Sequence, residues 1–325
     1  MILHIASDNT GHIIYPFIKF VNQHFDKKEH FYILCSKERD IKRFENAITK
    51  DIFTQTEFFI QEMKKADKIL LHGIWYDKLC EIYNKHPEFF NKTLWNAWGG
   101  DYYYERSELH RWFIENVKFI ITDKNSFEII KKMYNVKGKL FFKYLYPSQL
   151  FKKYRKEKGK LNILINHSGD SRNNHLEILK KLLFFRKKNI KIFLILSYGE
   201  ENYIKKVKRE YKKVFKNKCI VIQKKMNLNK YLKMLAQMDI AIFNHTEQMA
   251  KNTKFFLFAN QTKIYLNKND NLIDEFKRIG LKFWINKNIS LKKDYLYKNH
   301  IKINKEISKE ILKKHLKNCF LMDLK

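Results

Sequence analysis

Short β-rich runs alternate with helical stretches from one end of the chain to the other, and that alternation leaves few folds open. Runs at 2–6 (ILHIA), 30–35 (HFYILC), 68–72 (KILLH), 93–98 (TLWNAW) and 117–122 (VKFIIT) read as strands, as do 161–167 (LNILINH), 190–197 (IKIFLILS), 219–223 (CIVIQ), 239–243 (DIAIF), 263–267 (KIYLN) and 281–285 (LKFWI). Strands alternating with helices build parallel sheets covered on both faces. After the first strand, Ile14, Phe17, Ile18, Val21 and Phe25 recur at helical spacing, which gives that helix one core-facing side. A chain of 325 residues exceeds what one hydrophobic core usually supports. The break is expected near 146–160, where Pro147 is followed by a lysine-rich run and Gly159 before a fresh strand opens at Leu161. The expected fold is α/β: two doubly wound Rossmann-like domains at 1–150 and 151–290, with a helical tail at 291–325 that packs back on the first domain.

The balance of 66 Lys+Arg against 34 Asp+Glu, a formal net charge of +32, is compatible with a globular chain because 45% of the residues are apolar. Lysine supplies nearly all of the positive charge alongside abundant Asn, Ile, Phe and Tyr, the bias an AT-rich genome imposes whatever the function. Base-reading proteins lean on Arg forks, so the charge points either to a solvated surface or to an anionic partner such as a lipid leaflet, a polyphosphate or a nucleic acid. Cys35, Cys80, Cys219 and Cys319 stand far apart, without the spacing of a zinc site or a disulfide framework. No signal-like leader and no run of 18 uncharged apolar residues is present, so a cytoplasmic protein is expected.

In doubly wound sheets, ligands bind beyond the carboxyl ends of the strands. Ser7-Asp8-Asn9-Thr10-Gly11-His12 follows the first strand and offers a carboxylate and an imidazole at a helix start, where Asp8 could equally be a cap. His72-Gly73-Ile74-Trp75-Tyr76 follows the third, and Trp98-Gly99-Gly100-Asp101-Tyr102 follows the fourth. With nine glycines in the whole chain, the Gly99-Gly100 pair marks a close backbone approach or a tight turn. Aromatic rings around Asp101 suit a sugar: rings stack on sugar faces while a carboxylate binds or deprotonates a hydroxyl. Asp101 is therefore the first candidate base, Asp8 the second and His12 a partner, with His72, Trp75, Trp98, Gly99, Gly100 and Tyr102 as acceptor-binding residues.

The second half opens on His167-Ser168-Gly169-Asp170-Ser171-Arg172-Asn173-Asn174-His175, running off a strand into a helix. Small and hydroxyl residues ahead of a helix N-terminus can dock a diphosphate, and Arg172 adds a fork for its oxygens. A polar capping turn without ligand is the alternative. Neither a P-loop nor GxGxxG is present, and no Asp-x-Asp exists to carry a divalent cation, so neither metal nor cofactor is expected. Candidate donor-binding residues are Ser168, Gly169, Asp170, Ser171, Arg172 and Asn174, with Tyr198, Lys225, Met226, Glu247 and Gln248 from later loops.

Ser7-Asp8, His72-Gly73, Trp98-Gly99-Gly100-Asp101-Tyr102 and the 167–175 loop, continuing through Lys225-Met226 and Tyr231-Leu232 to about residue 245, resemble the 4-acetamido-4,6-dideoxygalactose transferases of enterobacterial common antigen synthesis, glycosyltransferase family 56. The resemblance covers about three quarters of the chain. It implies a GT-B glycosyltransferase whose two domains face a central cleft, inverting and metal-independent. It further implies a dTDP-sugar donor and a polyprenyl-diphosphate glycan acceptor at the cytoplasmic membrane face. The sequence departs from the family at Thr246–Thr253, where a Gly-rich turn is replaced by a segment without Gly.

Two other classes compete with this reading. A basic nucleic-acid-binding α/β protein would explain the charge, but no recognition helix, RNP aromatics or zinc-finger spacing is found, so no nucleic-acid partner is expected. A nucleotide-sugar enzyme that is not a transferase would share the cleft chemistry. For a lipid-linked acceptor the protein is expected to dock on the inner face of the membrane. The expected elements are the 131–155 segment, with its interleaved lysines and aromatics, and a helix around 303–321 whose Ile303, Ile307, Ile311, Leu316 and Phe320 recur at about helical spacing. A C-terminal helix packed on the body of the protein is the competing use of that stripe.

Overall fold

A computed structural model describes residues 1–36, 44–104, 107–141, 146–147, 159–247, 249–292, 299, 302–303, 308–322 and 324. The chain forms two compact units, Met1–Leu150 with Lys309–Lys325, and Phe151–Ser308.

In the first unit, β1 (Ile2–Ser7), β2 (His30–Cys35), β3 (Ala47–Lys50), β4 (Lys68–His72), β5 (Thr93–Asn96), β6 (Phe119–Ile121) and β7 (Lys139–Phe141) form one sheet. Its order is β3-β2-β1-β4-β5-β6-β7, with every pair parallel. Among the described residues, the strands are connected by α1 (Gly11–His24), α2 (Thr56–Lys65), α3 (Asp77–Lys85), α4 (Gly99–Tyr102), α5 (Glu108–Asn116) and α6 (Lys124–Met133). Side chains alternate across the pleat. Leu3, Ile5, Ile33, Ile69 and Leu71 therefore enter the core with Phe59, Met63, Tyr83 and Phe113. His4, which alternates with them along β1, stacks on the imidazole of His72 and lies tilted against that of His30.

Phe17 of α1 and Phe320 of the C-terminal helix Lys309–Leu321 pack their rings on this row of imidazoles. That helix buries Leu312, Leu316 and Cys319. The Lys68 ammonium donates to the carbonyls of Cys319, Phe320 and Met322 at 3.2, 2.7 and 2.7 Å, so a buried cation caps the helix C-terminus. The helix starts at Lys309, not 303; Ile303 is buried in the second unit, and Ile307 lies outside the described residues.

The second unit holds β8 (Leu161–Ile165), β9 (Ile190–Ile195), β10 (Cys219–Ile222), β11 (Ile240–Ile242), β12 (Lys263–Leu266) and β13 (Trp284–Ile285). They form a parallel sheet in the order β10-β9-β8-β11-β12-β13. The helices are α7 (His175–Leu182), α8 (Glu201–Phe215), α9 (Leu228–Ala236), α10 (Lys251–Ala259) and α11 (Ile273–Ile279). Ile163, Ile165, Ile192, Leu194, Ile240 and Ile242 form its core with Val207, Tyr211 and Phe215.

The strands read from sequence are all present, several of them shorter at their ends. Two strands were missed, β3 and β7, the two edges of the first sheet. Both are short and carry lysine, as edges do, and so lack the continuous apolar run that betrays a buried parallel strand.

Candidate active site

Each sheet reverses its direction of winding at one gap, β1/β4 in the first unit and β8/β11 in the second, and the loops leaving the carboxyl ends of those strands diverge there. Such a gap is where open α/β sheets leave room for a ligand.

At β1/β4, Asp8 begins the turn between β1 and α1, partly buried, and accepts a hydrogen bond from the Tyr15 hydroxyl one helical turn into α1. Ser7 Oγ lies 3.1 Å from the Tyr76 hydroxyl, which also donates to the Cys35 carbonyl at 3.3 Å. His12 follows in the first turn of α1; its side chain lies outside the described atoms.

Asp101 is placed differently from the expectation of a base beside a hydroxyl. Its side chain has no exposed surface. Oδ2 accepts from the Ile74 backbone N–H at 3.1 Å and the Trp95 indole at 3.0 Å, while Oδ1 accepts from the Trp98 N–H at 2.8 Å. A carboxylate filled by three N–H donors is a clamp that fixes the loops after β4 and β5 against each other. Trp75 and Trp98 then meet edge to face with ring centres 5.6 Å apart. Gly73, at φ +81°, lets the Trp75 indole turn back to donate to the His72 carbonyl at 2.8 Å. Both indoles remain partly exposed, whereas Tyr102 is buried.

His72 is also buried, and its hydrogen bonds define its tautomer. The Tyr146 hydroxyl receives the Asn96 amide and, at 3.2 Å, the Trp98 indole, so its own proton goes to His72 Nδ1 at 2.6 Å. The His72 proton therefore sits on Nε2 and is donated to His4 Nδ1 at 3.1 Å; His4 Nε2–H in turn donates to His30 Nδ1 at 3.0 Å. Burial holds all three imidazoles neutral, His30 lowered to about 4, His72 to about 3 and His4 well below its ordinary value. With both nitrogens occupied, His72 supports the loop from beneath and does not itself meet an acceptor hydroxyl. Tyr146, expected on a membrane-facing segment, is a buried member of this chain.

At β8/β11 the two diverging loops are stitched together. Asn166 leaves β8 in a left-handed turn (φ 51°), its amide donating to the Asn173 carbonyl at 2.9 Å while its Oδ1 accepts the Asn244 N–H at 3.1 Å. Asn and Asp adopt this conformation at less cost than other side chains. His245, buried, places Nδ1 3.0 Å from Asn173 Oδ1. Lys254 of α10, with no exposed surface, pairs with buried Asp270. Burial pushes the ammonium down and the carboxyl up, and each opposes the other's shift through their mutual attraction.

In the expected diphosphate cradle at 168–172, the Gly169, Ser171 and Arg172 N–H groups bond within the protein. Gly169 N–H donates to the Tyr198 carbonyl at 2.7 Å, and a Cβ there would stand 2.2 Å from Ile204. Its glycine is thus required by the neighbouring loop. Ser168 is buried and its Oγ receives the Asn173 amide at 2.9 Å. Ser171 N–H and Oγ both reach Glu200 Oε1, at 3.2 and 2.7 Å. Asp170 accepts from the Arg172 N–H and grips its guanidinium through Nε (2.9 Å) and Nη2 (2.6 Å), which holds its carboxyl below the usual range. Arg172 Nη1 reaches Glu247 Oε2 at 2.5 Å. Asn174, also left-handed, donates to the Arg172 carbonyl and precedes α7.

Tyr198 is 58% exposed at the end of the β9 loop. Lys225 and Met226 follow β10, two strands from the gap in the sheet order. Gln248 lies outside the described residues. Sequence reasoning placed His167 and His245 in strand-end loops without giving them a role, and it missed Lys254 and Asp270. A signal for one existed: a single lysine heads the wholly apolar run Phe255–Ala259, and a lysine in a stretch buried on every side must have a partner.

Two doubly wound units in one chain are the architecture of the GT-B glycosyltransferases. Sucrose-phosphate synthase from Thermosynechococcus elongatus superimposes with a TM-score of 0.70 at 9% identity, covering 98% of each chain. A glycosyltransferase from Rickettsia africae gives 0.65 at 9% identity over 98% of this chain and 97% of its own. An Escherichia coli trehalose-6-phosphate structure bound with UDP-2-fluoro glucose gives 0.63 at 9%, over 100% and 99%. The chain belongs to glycosyl transferase group 56, the 4-alpha-L-fucosyltransferase family, whose model matches residues 1–304. The match therefore runs well past the point near 245 where the recognisable motifs end, and the protein is a glycosyltransferase.

Proposed function

We propose that the protein transfers a deoxy or acetamido sugar, with inversion and without a metal, from a thymidine-diphosphate donor to a polyprenyl-diphosphate-linked or other surface glycan. The observation that carries the donor side is the Arg172 guanidinium at the rim of the β8/β11 gap, whose bond to Glu247 an arriving phosphate can take over, whereas Lys254 is already neutralised by Asp270. A leaving diphosphate needs such a positive group. The Escherichia coli and Anabaena structures that share this fold are described with UDP-2-fluoro glucose and with UDP and glucose, which supports a nucleotide-sugar donor here.

Inversion requires a base that takes the proton of the acceptor hydroxyl as it attacks the anomeric carbon, while the electron pair of the breaking C–O bond leaves with the diphosphate. Asp8 fills that role better than Asp101: it is partly exposed at the β1/β4 gap and has one Tyr15 hydroxyl on it, where Asp101 is buried under three donors. Trp75 and Trp98 supply ring faces for the acceptor sugar. A lipid-linked acceptor places the protein on the inner, anionic leaflet. The test is mass spectrometry of the protein incubated with dTDP-, UDP- and GDP-sugars and a short-chain polyprenyl-diphosphate glycan. A mass increase on the glycan with a dTDP-sugar alone is expected; hydrolysed or rearranged donor with unchanged glycan favours a non-transferase enzyme.

A further inference from the structure

With the Gly169, Ser171 and Arg172 N–H groups spent within the protein, the donor-side gap calls for a further contact to an anion. His167, the second residue beyond β8, stands between the Tyr198 ring (centres 6.3 Å apart) and the His245 ring (5.5 Å, 78° between planes), each from the loop of a neighbouring strand. Its Nδ1 is enclosed and, among the described residues, has no hydrogen-bond partner. A buried polar atom left unpaired in a folded protein demands a reason. Nε2 is not among the enclosed atoms. An enclosed N–H without an acceptor costs more than a bare lone pair facing nearby cations, so the neutral ring carries its one proton on Nε2, the nitrogen left open. We propose that His167 is a donor-contacting residue, its Nε2–H donating to a phosphate oxygen of the nucleoside diphosphate. This rests on the nucleotide-sugar reading of the same gap.

The surrounding charges give the contact a signature. Burial first, then Lys254 of α10 and Arg172 of its own loop, hold the imidazole down to about 4, while Asp170 opposes them. His245 from the β11 loop and His175 of α7 face the same cluster, both held neutral by burial. A bound diphosphate reverses the sign of the field at His167 and favours the imidazolium, so binding at mildly acid pH takes up a proton.

Calorimetric titration of the full-length protein with dTDP at pH 5.5, in two buffers of different ionisation enthalpy, reads both affinity and proton uptake. Wild type is expected to bind and to take up more protons per nucleotide than either His167 variant. His167→Phe should weaken binding roughly tenfold or more, the worth of one hydrogen bond to a charged group. His167→Gln, which keeps an N–H but cannot be protonated, should retain part of the affinity and lose the extra uptake; it also carries the test if the Phe variant fails to fold. Unchanged affinity and uptake in the variants overturn the role of His167 and leave the donor reading standing. No dTDP binding by the wild type overturns both.

Discussion

Arg172 and Glu247 reach each other across the β8/β11 gap, Nη1 to Oε2 at 2.5 Å, while Asp170 holds the other edge of the same guanidinium. The fork best suited to a diphosphate is thus occupied by two carboxylates, one on its own loop and one on the opposite loop. A phosphate arriving here competes with Glu247 and not with water, since Asp170 can stay bidentate through Nε and Nη2.

From this competition Glu247→Gln should bind dTDP several-fold more tightly than wild type, and Arg172→Ala more weakly. Both side chains of the pair are 38% exposed, so the effect on folding stability should be small. Titration calorimetry at fixed salt checks the signs; a weaker Glu247→Gln would assign that carboxylate to the nucleotide itself.

Asp101 and Asp8 separate by what their removal breaks. Asp101→Asn replaces one acceptor oxygen by a donor among three N–H groups and should cost about 2–4 kcal/mol of stability. Asp8→Asn should leave the melting temperature and dTDP affinity near wild type and abolish turnover. Thermal unfolding beside an activity measurement distinguishes the two; full activity in Asp8→Asn removes it as the base.

The difference between these two aspartates marks how far the sequence could be read. Strand–helix alternation was legible because burial on both faces leaves continuous apolar runs. The positions of the site loops followed from strand ends alone. What the sequence withheld was which polar groups in those loops spend their hydrogen bonds on the protein. Gly169 reads as room for a phosphate, but it makes room for Ile204 and the Tyr198 carbonyl. Asp101 among aromatics reads as a sugar-binding carboxylate, yet it ties Ile74, Trp95 and Trp98 together. The Trp98 contact is the N3-to-N-cap half of a helix cap, a three-residue spacing that local sequence encodes, but the contacts of Asp101 with Ile74 and of Gly169 with Ile204 join segments distant in sequence. The imidazole row of His30, His4 and His72 is likewise visible only once β2, β1 and β4 are set side by side.

That row makes stability depend on pH in a stated direction. The folded values of His30 and His72 lie near 4 and 3, below the unfolded value near 6.5, so the unfolded chain binds more protons between them. Their contribution is complete above about pH 6.5 and is lost as pH falls toward the folded values, with a slope of about 1.4 kcal/mol per pH unit for each group inside that window. His167 and His175 of the second unit, near 4 and 3, add to the same trend. Calorimetric melting should be flat above pH 7 and fall steeply between pH 6 and 4. Nitrogen NMR at pH 7 should show His4, His30 and His72 as neutral Nε2–H tautomers; imidazolium signals from them would contradict the chain of donors.

Membrane docking has to be carried by charge, because the apolar stripe of the C-terminal helix is already used: Leu312, Leu316 and Cys319 are buried against the first unit. The face that remains carries Lys309, Lys313, Lys314 and Lys317, all exposed. On the 131–155 segment Lys131, Lys132, Lys137 and Lys139 are exposed beside Met133 and Leu140, each 38% exposed, while Phe142, Lys143 and Tyr144 lie outside the described residues. No helix among the described residues is long and apolar enough to cross a membrane. Attraction of lysines to an anionic leaflet is lost within a Debye length and screened by salt. Co-sedimentation with vesicles is therefore expected only with anionic lipid and only at low salt, and Lys313→Glu/Lys314→Glu/Lys317→Glu should reduce it without changing dTDP affinity. Equal pelleting with neutral and anionic vesicles at both salt concentrations, or none in any of the four, would show that these lysines are ordinary solvated surface and that the acceptor reaches the protein by another route.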